Sequence, residues 1–346
     1  MTLQSCIERG GLSKPMLFMT RLVFLIFFWF FSFTSFLYFF TSLVLFLLFS
    51  CSNPFCSDSF FFEMLTIKSI LRTASKSAQL VTKTARMCSS EAPLITFKEN
   101  KIGFLVLNRP HVYNAWSYDI YDILNPKLEE FDADPEIQAI ILTGKGKYFT
   151  AGNDLKKNIT IPAKKHVDRI EACVSRLIDM KKLFIGAING PGVGVGTTIL
   201  GLMDYVVASR EAFFTAPFTQ LGICPEFCSS YTFPKAIGNL RSIEIFVGGK
   251  RLSVEEAKEW GLVSRIIDKS SEDEFLQSVV KIVNELLLKS TAPALLECKS
   301  LVRNQETKDM MHVVNKRECQ GLIKLFCTPE ADKIARDFLH RKSKKT

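Results

Sequence analysis

Two segments of this sequence each join a short apolar run, a glycine-rich turn and the start of a helix. In the first, residues 140–143 lead to the turn at 151–155, and in the second, residues 185–188 lead to the turn at 189–196. Glycine lets the chain turn sharply and lets other backbone approach closely. A short apolar run that ends at such a turn is typical of a buried strand in a parallel sheet. The pattern therefore predicts an α/β fold.

The rest of the pattern places these two units in a larger mixed domain. Apolar runs and helical periodicity alternate along residues 94–216, and the sequence after Ser253 has an almost wholly helical pattern. Strands that alternate with helices and then give way to helices predict an α/β core with a helical C-terminal layer. The predicted strands are 94–97, 102–107, 139–142, 184–188, 205–208 and 213–216, the predicted helices include 117–131 and 167–180, and a glycine-rich helix start is predicted from Gly192.

The N-terminal part of the chain has a different composition. No charged residue occurs from Leu22 to Ser57, and the apolar stretch 22–49 is long enough to span a bilayer as a helix. Three interpretations stay open: a membrane anchor, a signal-like sequence, and an extension that does not belong to the working protein. Residues 1–63 are therefore treated as a separate phenylalanine-rich extension. Membrane contact is expected only if residues 22–49 are a real anchor.

The next segment, residues 64–91, has the composition of a mitochondrial transit peptide. From Met64 to Ser90 it contains five basic residues, many Ser and Thr, and no Asp or Glu, and its apolar residues allow an amphipathic helix with a basic face. A disordered basic linker is the alternative. We expect the functional start at Met64, a catalytic domain over residues 92–346 and a mitochondrial location, with a peroxisomal or membrane-associated location as the alternatives.

Charge and cysteine usage restrict the classes of partner. The net charge of +9 at pH 7 is compatible with nucleic acid, but the basic residues are scattered and no nucleic-acid-binding motif is present. An anionic small molecule suits a basic domain equally well. The cysteines after residue 92 form no CxxC pair and no zinc-like Cys/His spacing. The sequence therefore predicts no nucleic-acid partner, no metal and free thiols in a reducing compartment.

The glycine-rich turns also suggest a chemical role. A turn that starts a helix leaves backbone N–H groups without acceptors, in a field that favours negative charge. Two such turns aimed at one point form an oxyanion hole. The second turn is not a P-loop, because no lysine follows Gly196, and its glycines do not fit the G-x-G-x-x-G spacing. Close packing of a helix on a strand is the alternative use of these glycines.

Three motifs follow one another in order after residue 108. They are Arg109-Pro110 with Asn114-Ala115, then Tyr148-Phe149-Thr150-Ala151-Gly152-Asn153-Asp154-Leu155, then Asn189-Gly190-Pro191-Gly192-Val193-Gly194. Together they resemble the enoyl-CoA hydratase/isomerase (crotonase) superfamily, over roughly residues 92–344. Residues 221–226, 228–231 and 338–344 are most similar to its 3,2-enoyl-CoA isomerase type, which is also called enoyl-CoA delta isomerase. The resemblance implies a crotonase-like ββα spiral core with a helical C-terminal layer.

The resemblance implies a site made of main-chain amides and one carboxylate. The family's two oxyanion donors correspond to the N–H groups of Asn153 and Val195, and the isomerase-type acid corresponds to Glu226. The two glutamates of the family's hydratases correspond to Thr198 and Phe218, and neither side chain transfers protons as a carboxylate does. The implied substrate-binding residues are Asn114, Ala115, Thr150, Ala151, Gly152, Asn153, Asp154, Leu155 and Gly194.

The implied reaction converts a 3-enoyl-CoA thioester to the 2-trans-enoyl-CoA in fatty-acid β-oxidation. Glu226 would move a proton from C2 to C4 while two N–H groups stabilise the dienolate oxygen. No cofactor is expected, since CoA is part of the substrate. A carboxylate in water is a weak base for this step. The apolar Phe213, Phe214, Phe218 and Phe227 are expected to raise its pKa.

Several alternatives stay open. Glu226 would be a surface loop carboxylate if the resemblance failed, and a helix-capping role is favoured over catalysis for Asp154. Phe227 stands where relatives of this type usually have glycine, which puts the acyl-chain preference in question. The rival functions are an acyl-CoA thioester hydrolase of the same fold and a non-catalytic, membrane-anchored acyl-CoA-binding protein. The resemblance also implies a homotrimer or a hexamer.

Overall fold

The computed structural model describes residues 92–158, 160–268, 271–286, 288–330 and 333–334. All of them belong to the second of the chain's two units, Ala85–Thr346. The apolar extension, the transit-like segment and the C-terminal motif 338–344 lie outside the described residues. None of the helices in the described ranges is both long and apolar enough to cross a bilayer.

Nine strands form two sheets in this part of the chain. The larger sheet has the order β1-β2-β3-β4-β6-β9, with β1 and β2 antiparallel and all other neighbours parallel. The smaller sheet has the order β5-β7-β8. The strands are β1 (Leu94–Glu99), β2 (Ile102–Leu107), β3 (Ala139–Gly144), β4 (Leu183–Ile188), β5 (Gly192–Val193), β6 (Tyr205–Ser209), β7 (Phe213–Thr215), β8 (Leu252–Ser253) and β9 (Arg265–Ile267).

Ten α-helices accompany these strands in the described ranges. They are α1 (Tyr118–Ala133), α2 (Leu155–Asn158), α3 (Ala163–Asp179), α4 (Val195–Thr198), α5 (Ser229–Ile237), α6 (Asn239–Phe246), α7 (Val254–Glu259), α8 (Glu272–Leu286), α9 (Ala292–Val302) and α10 (Gln305–Phe326). Helix α3 packs between α1 and α10, and α10 also reaches α5.

The strands of the large sheet are apolar on both faces because both faces are covered. Alternate residues of a strand point to opposite faces. In β2, Leu105 and Leu107 enter the core that contains α1 and α3, whereas Phe104 and Val106 enter a second core. Helix α8 closes that second core with apolar side chains spaced one turn apart, Phe275, Val279 and Val283.

The structure confirms the predicted α/β class and helical C-terminal layer, with two corrections. The region after Ser253, predicted to be almost wholly helical, also contains β9, a parallel strand beside β6. A strand of three residues is too short to show a period-2 pattern. The helix predicted from Gly192 begins only at Val195, since Gly192 and Val193 pair with β7 instead.

Candidate active site

The two glycine-rich turns lie side by side because they follow neighbouring strands. β3 and β4 are parallel, so both turns leave the same edge of the sheet. Past the strand ends, Thr150 and Gly192 form a parallel bridge in which the N–H of Val193 donates to the carbonyl of Thr150 at 2.9 Å. Asn153 and Val195 each lie three residues beyond that bridge. They therefore occupy corresponding places on the two turns.

The close approach of the turns depends on glycine. Gly152 has a φ of +91°, and a Cβ there would lie 2.9 Å from the carbonyl oxygen of Val193. A Cβ at Gly190 would lie 2.0 Å from the carbonyl oxygen of Lys147. Real Cβ atoms do not approach oxygen so closely, so a side chain at either position would force the turns apart.

The N–H groups of Asn153 and Val195 have no acceptor within the described part of the chain. At Asn153 the cause is a parallel bridge with Trp116. The carbonyl of Trp116 accepts from the N–H of Asp154, and the N–H of Trp116 donates to the carbonyl of Gly152, each at 2.8 Å. The N–H of Asn153 consequently faces away from Trp116. Val195 is the first residue of α4, where N–H groups have no acceptor within the helix. Two donors are thus available to an anion.

Other predicted substrate-binding residues stabilise the turns. The Nδ2 of the buried Asn114 donates to the carbonyls of Lys145 and Tyr148, at 2.8 Å each. Thr150, also buried, donates its hydroxyl to the carbonyl of Asn114 at 2.7 Å and accepts from the N–H of Gly152 at 3.1 Å. These side chains hold the first turn in shape. Their contact with a substrate stays a prediction.

The remaining members of that predicted set have main-chain roles. The N–H of Ala151 donates to the carbonyl of Tyr113, and that of Gly194 to the carbonyl of Thr215, so neither is free for a ligand. The N–H of Ala115 is likewise engaged, with Val112. Leu155 begins α2.

Asp154 caps a helix, as predicted. Its Oδ1 accepts from the N–H of Lys157 in the first turn of α2 at 3.2 Å, and its Oδ2 pairs with Arg109 at 3.0 Å. Arg109 also donates to the carbonyl of Ala115 at 2.6 Å. The Arg-Pro motif thereby anchors the turn that carries Asn153.

Glu226 is buried beside Asn153. It is only 3% exposed, which contradicts the alternative of a surface loop carboxylate. The Nδ2 of Asn153 donates to both carboxylate oxygens, at 3.2 Å each. The hydroxyl of Tyr121 donates to the Oδ1 of Asn153 at 3.0 Å and so fixes which side of the amide faces Glu226. One residue therefore connects the carboxylate with a free main-chain N–H.

The sequence predicts only a main-chain role for Asn153 and none for Tyr121. The side-chain contact depends on Glu226, which lies 73 positions further along the chain. Tyr121 lies on α1 and is buried on the same helix face as Leu124 and Leu128. A polar hydroxyl on an otherwise apolar helix face was the available signal.

Burial raises the pKa of Glu226 to about 8. Desolvation is the largest cause, the carboxylate of Glu318 raises the pKa further, and the hydrogen bond from Asn153 opposes the shift. The predicted upward direction agrees with this, whereas the contribution of Glu318 is not apparent from the sequence.

The apolar surroundings of the site differ in part from those expected. Phe227 is buried and packs edge-on against Trp116, with ring centroids 6.0 Å apart. Trp116 in turn packs edge-on against Tyr121 at 5.4 Å. Phe213, by contrast, stacks against the guanidinium of Arg251, 3.5 Å from its ring centroid. The aromatic rings around the site thus include Trp116 and Tyr121, whereas only phenylalanines were expected to surround Glu226.

The two positions that correspond to hydratase glutamates carry no carboxylate. Thr198 is buried and donates to the carbonyl of Gly194 at 3.4 Å. Phe218 is buried and stacks on Phe246, with ring centroids 5.8 Å apart. Among the described residues, no group of three or more His, Cys, Asp and Glu side chains could hold a metal ion.

Comparisons with known proteins agree with this geometry. Residues 98–336 match the family model for enoyl-CoA hydratase/isomerase. The chain is 33% identical over 285 residues to enoyl-CoA delta isomerase 2 of Homo sapiens, which covers 80% of this chain and 71% of that protein. It is 33% identical over 259 residues to the peroxisomal enoyl-CoA delta isomerase 3 of Mus musculus, covering 72% and 79% of the two chains.

A solved structure extends the likeness to three dimensions. The crystal structure of an enoyl-CoA hydratase/isomerase from Pseudoalteromonas atlantica T6c aligns with a TM-score of 0.66 and 30% identity, over 72% of this chain and 98% of that one. The expected crotonase-like core is thereby confirmed. With its sequence motifs, its fold and its paired turns in agreement, this chain belongs to the enoyl-CoA hydratase/isomerase (crotonase) family.

Proposed function

We propose that this protein is an isomerase that converts 3-enoyl-CoA thioesters to 2-trans-enoyl-CoA, with Glu226 as the proton carrier. The observation that supports this most directly is the contact between the buried carboxylate of Glu226 and Asn153, whose own N–H has no acceptor in the described structure. That contact brings a base next to an anion-binding group. The delta isomerase relatives support the same reaction.

The reaction needs one base and a site for one negative charge. Ionised Glu226 would take a proton from C2, and the electron pair of the broken C–H bond would move into the thioester carbonyl to give a dienolate. The N–H groups of Asn153 and Val195 would donate to the enolate oxygen. Loss of one such donor typically costs roughly 100- to 1000-fold in rate. Protonated Glu226 would then return the proton to C4, which leaves a C2–C3 double bond and regenerates the carboxylate.

The absence of a carboxylate at both positions that correspond to hydratase glutamates supports isomerisation over hydration. Adding water to the double bond requires groups that activate the water and protonate the carbon. Thr198 and Phe218 supply neither a general base nor a general acid of suitable pKa. Moving a double bond within one substrate needs no water.

The raised pKa of Glu226 suits this role. A base works best when its pKa lies near the working pH, because it is then both ionised often enough and basic enough. With a pKa of about 8, the Glu226 carboxyl is protonated at lower pH and becomes an active base as the pH rises through that value. Burial among aromatic rings also keeps water away from the dienolate.

A direct test is the spectrophotometric isomerisation of 3-hexenoyl-CoA by the full chain and by Glu226→Gln. The substitution should lower kcat by about 100- to 10,000-fold while binding of the thioester persists. Glu285→Gln is the matched control, since Glu285 is exposed on α8, which covers the other face of the sheet. Equal rates for wild type and Glu226→Gln contradict the proposal. Release of free CoA would instead indicate a thioester hydrolase, and binding without turnover would indicate a binding protein.

We further propose a homotrimer or a hexamer built from trimers. Two separate apolar surfaces support a ring of copies, because a ring pairs one surface with a different one on the next copy. The first runs along α6, where Leu240 is 84% exposed and Ile243 follows on the same face, and it continues to Val247 directly after the helix. The second lies on α9 and α10, with Leu301, Val302, Met310 and Val313. A monomer in sedimentation analysis at micromolar concentration would contradict this.

The proposed location is mitochondrial, on the composition of residues 64–91, with a peroxisome as the alternative. The mouse relative's name places that protein in peroxisomes. A fluorescent protein fused after residues 64–91 should enter mitochondria, and uniform cytosolic fluorescence would contradict the proposal.

A further inference from the structure

We propose that Glu318, on α10, is a positioning residue for Glu226. Its carboxylate holds the loop that carries the catalytic base, and its negative charge keeps that base strong. The inference rests on the proposed function, since it assigns Glu318 a role in the same proton transfer.

Glu318 caps helix α5 from a distant part of the chain. It is 7% exposed; its Oε2 accepts from the N–H of Cys228 at 2.7 Å and its Oε1 accepts from the N–H of Ser230 at 2.8 Å. Cys228 is the N-cap residue of α5 and provides no side-chain cap of its own. A carboxylate that receives two N–H bonds at a helix N-terminus is held strongly. These donors lie two and four residues after Glu226.

The loop that Glu318 holds has an unfavourable backbone conformation. Phe227 and Cys228, the two residues directly after Glu226, have φ values of +59° and +56°. This left-handed region is uncommon for residues other than glycine, and rarer still for a bulky residue such as phenylalanine. Without the two N–H bonds to Glu318, the loop would relax to a more favourable conformation. The Glu226 carboxylate would then shift relative to Asn153.

Further contacts with α10 flank Glu226 on both sides. The thiol of Cys228 donates to the carbonyl of Met311 at 3.3 Å. On the other side of Glu226, Cys224 lies against Gly321 of α10. A Cβ added at Gly321 would be only 3.0 Å from the Sγ of Cys224, so the helix and the loop are in close contact there. Helix α10 therefore holds the loop through contacts spread over three of its turns.

The charge of Glu318 acts on Glu226 as well. After burial, the carboxylate of Glu318 is the next largest cause of the raised pKa of Glu226. Burial raises the pKa of Glu318 too, although its two N–H donors favour the ionised form. The other titratable groups that face the two carboxylates are kept neutral, because burial raises the pKa of each of them. They are Tyr121 of α1, Cys224 and Cys228 of the loop, and Cys319 of α10. Besides the two carboxylates, Arg303 lowers the pKa of Cys228 and Glu171 raises the pKa of Cys319.

The two roles of Glu318 predict separable effects. Removing the negative charge lowers the pKa of Glu226, so the acid limb of the pH–rate profile moves to lower pH and the base becomes weaker. Shortening the side chain while keeping the charge loosens the loop but leaves the limb near its original pH. A residue with only a stabilising role would change neither kcat nor the limb.

The experiment measures kcat, KM and the pH dependence of kcat/KM for 3-hexenoyl-CoA with the full chain. For Glu318→Gln we expect kcat to fall about tenfold, KM to stay within about twofold, and the acid limb to move down by about one pH unit. For Glu318→Asp we expect a similar fall in kcat with the limb in place. Glu306→Gln is the matched control, because Glu306 is exposed in the first turn of the same helix, and it should behave as wild type.

The possible failures are distinguishable. If the wild type does not isomerise the substrate, the proposed function itself fails. If the wild type is active and Glu226→Gln is not, but Glu318→Gln keeps the wild-type kcat and acid limb, only the inference about Glu318 is overturned. A lower melting temperature with unchanged kinetics overturns it equally. Should Glu318→Gln not fold, a folded Glu318→Asp variant with wild-type kcat also overturns the inference.

Discussion

The two halves of the candidate site are stabilised in different ways. The main-chain half consists of two turns at the ends of adjacent parallel strands, held by main-chain hydrogen bonds, close glycine contacts and the side chains of Asn114 and Thr150. The carboxylate half is a loop with a strained backbone, and it is held by side chains from elsewhere, Asn153 and Glu318. The strands and turns of the first half follow from local sequence and sheet topology. The second depends on individual polar side chains that meet only in the folded chain.

This difference determines how each half responds to substitution. The main-chain donors do not depend on the side chains of the residues that carry them. A substitution affects them only when it moves the turns, either by forcing them apart or by removing a side chain that holds them, such as Asn114 or Thr150. The carboxylate half is sensitive to single polar groups, because the hydrogen bond from Asn153 lowers the pKa of Glu226 and the negative charge of Glu318 raises it.

The largest effect is expected from separating the turns. Gly152→Ala adds a methyl group 2.9 Å from the carbonyl oxygen of Val193, and kcat should fall about 100-fold because the turns that carry the two N–H donors are forced apart. Gly261→Ala is the matched control: its φ of +86° imposes similar strain, but nothing lies within 4 Å of the added Cβ. It should lower the melting temperature by a few degrees and leave kcat unchanged. Similar kcat values for the two variants would show that the turns need not touch.

A smaller effect is expected from removing the polar contact of the base. Asn153→Ala deletes the donor that lowers the pKa of Glu226, so the acid limb should move to higher pH, opposite to the shift for Glu318→Gln. The main-chain N–H remains, and kcat measured above the limb should fall about tenfold. Tyr121→Phe keeps the Asn153 amide and removes only the hydroxyl that orients it, so kcat should fall by only a few-fold. A limb that stays in place in Asn153→Ala would mean that the amide does not act on the carboxylate.

The same contrast explains how much could be predicted from the sequence. Apolar runs followed by glycine identify β3, β4 and both turns, and the family motifs locate Asn153, Val195 and Glu226. The three-residue strand β9 carries too little pattern to be detected. The partners of Glu226 were not predictable either, because Glu318 meets the loop across 90 positions of sequence. Periodicity identifies α10 as a helix but does not show that Glu318, rather than an exposed glutamate such as Glu306, points inward.

The most direct test of a buried carboxylate acting as the base is the pH dependence of kcat/KM for 3-hexenoyl-CoA with the wild-type chain. This ratio reports ionisation of the free enzyme. Because burial raises the pKa of Glu226 to about 8, activity should rise about tenfold per pH unit below that value and level off above it. A limb near the ordinary carboxyl pKa of 4.5, or a flat profile between about pH 5 and pH 9, would contradict the account.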